Sequence, residues 1–149
     1  HRRLLEILGS IEYMGDHCAG YTTKLLVNLL WFGQAVASGE AFLLARRSGI
    51  DLEVLRGALG RSAAATEFIR RDFDALLDGD YLESFGLERC CEELDAVVAS
   101  AEELGVPFEL SARVAQTYRR ALERFGPVDG ELLAVALLEE HAGVRLRRT

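Results

Sequence analysis

From Tyr21 to about Arg47 the sequence runs 27 residues without a proline, with apolar groups recurring at helical spacing. At 1.5 Å per residue this is a helix roughly 40 Å long. Between Leu25 and Phe32 only Asn28 interrupts the apolar run, so the helix cannot present a single greasy stripe and must be covered from several directions. Gly33, Ala35, Ala37, Gly39 and Ala41 follow, small residues that let another helix approach closely at some cost in helix propensity. Gly49 supplies the stop.

The remaining elements must therefore wrap this one. Asp51 is placed to cap a helix over Leu52 to Leu59, closed by Gly60. A third helix is expected over about Ala64 to Leu77, broken by Gly79 and Asp80. A fourth is expected over about Leu87 to Leu104, ending at Gly105, and a fifth starts at Pro107. Phe125, Gly126 and Pro127 separate the fifth from a sixth over about Gly130 to Glu140. With two prolines in 149 residues and almost no alternating strand pattern, the expected fold is all-α: a bundle of about six helices around one long central helix. Ahead of it, Arg2 to Leu8 reads as a short helix stopped by Gly9, and Ile11 to Met14 as a brief strand. A lone strand leaves its edges unpaired, so residues 1–14 read as the tail of a preceding sheet domain and residues 15–149 as the helical domain. A start at His1, with neither Met nor a charged-then-apolar leader, suggests a fragment without a signal peptide.

Charge and cysteine usage narrow the partners. Seventeen Lys and Arg against 24 Asp and Glu give a net charge of −7, which repels phosphate backbones and argues against nucleic acid. Arg119, Arg120 and Arg124 read as a solvated helix face, and Arg145, Arg147 and Arg148 as a frayed basic terminus. Uninterrupted apolar runs such as Leu29 to Phe32 fall far short of the about 18 residues that would suggest a membrane span. Three cysteines are an odd count, and Cys90 and Cys91, adjacent on a helix, point about 100° apart. A reducing cytoplasm is the natural setting. His17 beside Cys18 lacks the companion spacing of a metal site, so no metal is expected.

Lys24 and Asn28 carry the chemistry. Four residues apart, they share one face near the start of the long helix and are the polar residues of an otherwise apolar stretch from Lys24 to Phe32. Such a lysine either reaches out to solvent or stays buried, and burial lowers its pKa toward the range useful for proton transfer. Asn28 is suited to hold a substrate oxygen or to orient the ammonium. On spacing alone, a lysine in the first turns of a helix is an ordinary solvated residue.

The surrounding string changes that weighting. Gly15, Cys18, Gly20, Lys24 and Asn28 stand in a spacing that resembles the G-x-x-G-x-G-x-x-x-K-x-x-x-N signature of the β-hydroxyacid dehydrogenases, the superfamily of 3-hydroxyisobutyrate and 6-phosphogluconate dehydrogenases. The turn Gly49-Ile50-Asp51, the segment Gly79 to Phe85, the segment Ala101 to Pro107 and Asp129 are similar to family segments in the same order. The resemblance implies the helical C-terminal domain of an NAD- or NADP-dependent oxidoreductase acting on a 3-hydroxy acid or a related small alcohol or carbonyl. It implies Lys24 as general acid or base, Asn28 and Gly20 as substrate-binding positions, and a cofactor held mainly by the missing N-terminal domain. It also implies a homodimer and no activity for the fragment alone.

Three positions depart from the pattern. Cys18 replaces the middle glycine, and Val27 stands where a second asparagine is usual. Glu92, in Glu92-Glu93-Leu94, occupies the position of the family's lysine in a K-D-L triplet near cofactor and substrate. If that side chain points into the cleft, an anion there disfavours a carboxylate substrate; the alternative is that Glu92 is an ordinary surface residue. These departures keep open an alternative, a non-catalytic helical dimerisation or ligand-sensing module that retains the fold.

Overall fold

The computed structural model describes Ile7 and residues 9–148, and within them it is helical. The element order is α1 (Ala19–Arg47), α2 (Leu52–Leu59), a π-helical turn (Phe68–Asp72) running into α3 (Phe73–Asp78), α4 (Leu87–Glu103), α5 (Glu109–Phe125) and α6 (Leu133–Ala142). This is the expected all-α bundle around a long central helix. Most of the expected helix over Arg2 to Leu8 lies outside the described residues. Ile11 to Met14 form no strand, because a strand needs a ladder partner and none exists among the described residues.

α1 is covered from several directions, as its sequence requires. Its first half places Leu25, Leu29, Phe32 and Val36 in a core shared with Leu87, Leu94, Tyr118 and Leu137 of α4, α5 and α6. Its second half places Ala35, Phe42, Leu43 and Ala45 in another core, with Leu52, Phe68, Phe73 and Leu76. Each fully buried Leu or Phe contributes about 1.5–3 kcal/mol, so α1 is anchored at both ends. α1 is also long and apolar enough to cross a bilayer, but a core helix passes the same test, and 44% of that stretch is buried within the chain.

The small residues divide between two faces. Ala35 and Gly39 are buried, and a Cβ on Gly39 would lie 2.9 Å from Val135 Cγ1, so glycine lets α6 cross α1 there. Ala37 and Ala41, by contrast, are exposed. Trp31 turns inward: its indole N–H donates to Asp72 Oδ2 at 2.8 Å, and its ring meets Phe68 edge-on at 5.3 Å.

Two local features escaped the periodicity. The expected third helix starts late: residues 62–65 make turns, and Thr66 Oγ1 accepts from Ile69 N at 3.2 Å. The wide π turn then spaces Phe68 and Phe73 five apart with both fully buried, a spacing that a 3.6-residue template does not register. The basic terminus is not frayed. Leu146 is completely buried, its N–H donates to Glu139 Oε1 at 2.6 Å, and Arg148 N–H donates to Leu77 O at 3.0 Å. Arg148 also pairs with Glu53, Asp74 and Asp78, which ties the tail to α2 and α3. The Arg119, Arg120 and Arg124 face is solvated, with Arg119 paired to Asp95 and Arg124 to Glu140.

Candidate active site

The site begins where the irregular N-terminal segment turns into α1. Cys18 adopts a left-handed conformation, φ 71°, and no side chain caps the helix. That geometry suits glycine. Gly20 sits exposed in the first turn, and a Cβ added there would meet nothing within 4 Å. Its missing side chain therefore leaves open space rather than relieving a contact inside the chain.

One turn further, Lys24 and Asn28 converge on a residue to which the sequence reading gave no role. Lys24 Nζ pairs with Glu93 Oε1, and Asn28 Nδ2 donates to Glu93 Oε2 at 2.5 Å. The Glu93 side chain is 13% exposed and that of Lys24 49%. Of the two placements open to the lysine, the described chain gives the one that reaches the rim. Glu93 was findable: it lies three residues after Cys90 and four before Val97, both buried on α4. A carboxylate in register with a buried face calls for a partner.

Tyr21, Lys24, Arg89, Glu92 and Glu93 line an open pocket of about 370 Å³. Glu92 is exposed on its wall, so its carboxylate faces the same space as Lys24.

Further carboxylates stand behind Glu93. Burial, and after it the nearby Asp72 and Glu93 carboxylates, raise the Glu131 carboxyl above its usual range. Cys90 and Cys91 supply no nucleophile: both are free and buried, and burial is the largest cause raising both thiols, Cys91 to about 11. Asp129 has a structural place, its backbone bridging antiparallel to Gly86 while Leu87 N–H donates to Val128 O at 2.9 Å. That bridge joins the two loops that launch α4 and α6, and so sets where Glu93 enters the site.

Residues 18–138 match the family model described as the NAD-binding part of NADP-dependent 3-hydroxyisobutyrate dehydrogenase. The chain belongs to the 3-hydroxyisobutyrate dehydrogenase family. Among curated relatives, it is 28% identical over 119 residues to L-threonate dehydrogenase of Cupriavidus necator, covering 79% of this chain and 40% of that one. It is 23% identical over 117 residues to 2-(hydroxymethyl)glutarate dehydrogenase of Eubacterium barkeri, covering 77% and 39%. The crystal structure of a 3-hydroxyisobutyrate dehydrogenase from Salmonella typhimurium superposes with a TM-score of 0.81 at 23% identity, over 91% of this chain and 48% of that one. The likeness to that structure establishes the fold. The chain thus spans about two fifths of the length of these curated relatives.

Proposed function

We propose that this chain is the helical half of a nicotinamide-dependent dehydrogenase for a small hydroxy acid, with Lys24 as its proton-transferring group. The convergence of Lys24 and Asn28 on Glu93, at the mouth of an open pocket, carries the reading. In carbonyl reduction the Lys24 ammonium donates a proton to the oxygen that is becoming an alkoxide; in alcohol oxidation the neutral amine takes it back. Glu93 orients Nζ. Asn28, held by the same carboxylate, offers its amide oxygen to the substrate hydroxyl, and open space at Gly20 lets the substrate approach the helix backbone.

The bound nicotinamide supplies the hydride exchange. The described residues do not fit its phosphates, for they contain no strand, glycine loop and helix to cradle a dinucleotide. We assign that unit to an N-terminal domain whose tail is residues 1–14, whether the cofactor is NAD or NADP. The exposed Tyr13 and Met14 leading into α1 suit a chain continuing into such a domain. Exposed Leu26, Val27 and Leu30 on α1 and Leu110 on α5 offer an apolar face for a second copy, as in a homodimer. Three free thiols suit a reducing cytoplasm.

The test is Lys24→Ala in the full-length parent, with the helical content checked by circular dichroism. Turnover is expected to fall at least about 10²-fold while the fold persists. Unchanged turnover would remove Lys24 from the mechanism, and an unsubstituted parent without turnover would favour the non-catalytic module.

A further inference from the structure

The pocket beside Lys24 holds two pairs of opposite charges, and they are arranged differently. Lys24 and Glu93 pair with each other at the pocket's mouth. Arg89 and Glu92, three residues apart on α4 and both exposed, line the same pocket. That spacing permits an ion pair on a helix surface. None forms: among the described residues neither side chain has an ion-pair or hydrogen-bond partner, and the Arg89 guanidinium instead lies over the Phe85 ring, 5.7 Å from its centroid. Among the described residues the pocket therefore presents one unpaired cation and one unpaired anion, flanking a lysine that a carboxylate orients.

A ligand complementary to this wall carries both charges itself. A plain 3-hydroxy acid satisfies Arg89 through its carboxylate but brings that carboxylate toward Glu92, where like charges repel. An ammonium on the carbon next to the carboxylate removes the conflict, since it meets Glu92 while the carboxylate meets Arg89 and the hydroxyl remains for Lys24. From this geometry we infer that the substrate class is a β-hydroxy-α-amino acid, bound as a zwitterion between Arg89 and Glu92. The role of the hydroxyl rests on the dehydrogenase reading; the charge selection rests on the pocket alone.

Matched ligands differing by one amino group separate the two. Calorimetric titration of the full-length parent, with cofactor present, compares serine with 3-hydroxypropionate and threonine with 3-hydroxybutyrate, and turnover is measured on the same four compounds. The aminated member of at least one pair should bind 10-fold or more tightly than its partner. Glu92→Lys should reverse that preference, and Arg89→Ala should weaken both members of the pair together. Equal binding, preference for the plain acid, a ratio unmoved by Glu92→Lys, or binding of none of the four overturns the inference. Zwitterion binding without hydride transfer leaves the charge selection standing and counts against the dehydrogenase reading.

Discussion

Two glutamates reach from one helix to a cation elsewhere in the chain, and their surroundings separate structure from function. Glu139, 3% exposed, accepts from Tyr81 Oη at 2.5 Å, from Leu146 N at 2.6 Å and from Arg147 Nη1 at 3.3 Å. Arg147 also donates to Leu76 O at 3.0 Å and lies 5.3 Å from the Tyr81 ring centroid. Every partner is internal, and the cluster closes the C-terminal tail over α3. Glu93 also holds two donors, but one of them, Lys24, remains half exposed and faces an open pocket. A buried carboxylate satisfied wholly by its own chain is a fastening, whereas one that orients a cation toward open space leaves that cation available to a ligand.

Stability measurements sharpen this contrast most. Glu139→Ala leaves Arg147 without its carboxylate and Leu146 N–H without its acceptor. It should cost about 3 kcal/mol in urea unfolding of the 149-residue chain, the lower end for breaking a buried pair because Arg147 retains some exposure. Glu93→Gln should cost no more than about 1 kcal/mol, since its partner lysine can turn to water. Equal losses would erase the distinction. A smaller effect, opposite in sign, is expected where α1 begins: Cys18→Gly relieves a left-handed non-glycine residue and should stabilise the chain by about 1 kcal/mol. A lower unfolding midpoint for Cys18→Gly would mean that the thiol makes a compensating contact.

The smallest effect is expected behind the site. The Glu131 carboxyl is raised by burial and by neighbouring carboxylates, so its charged form is disfavoured in the fold. Stability linked to it is fully present when the group is protonated and declines as pH rises from its unfolded value through the raised folded one. Glu131→Gln should therefore raise the unfolding midpoint at neutral pH and bring no gain in acid below the ordinary glutamate range. An identical shift at both pH values would show that charge is not the cause.

The sequence told most where a feature was periodic or punctuated. Asp51 caps α2 as expected, its carboxylate accepting from Val54 N at 2.8 Å, and Gly49 and Gly79 terminate helices at positive φ. Lys24 and Asn28 were legible because four-residue spacing on a helix puts two side chains side by side. Their meeting point was not, because Glu93 lies 65 residues beyond Asn28 and joins it only through the packing of α4 on α1. The docked tail was hidden for a related reason. A run containing three arginines reads as solvated until Glu139, Asp74 and Asp78 are known to surround it.

The central helix also sets an alignment tolerance. α1 has 29 residues and spans about 43 Å, so tilting it by about 1° about its far end would carry the Lys24 end through more than about half an ångström. A misplacement of about 1 Å at a reacting centre can cost about 10²-fold in rate. The second core, the glycine crossing at Val135 and the closure of the tail by Glu139 therefore act as a mounting that aims Nζ from the opposite end of the molecule. On the proposed role of Lys24, lesions there would lower turnover without touching a single residue of the pocket.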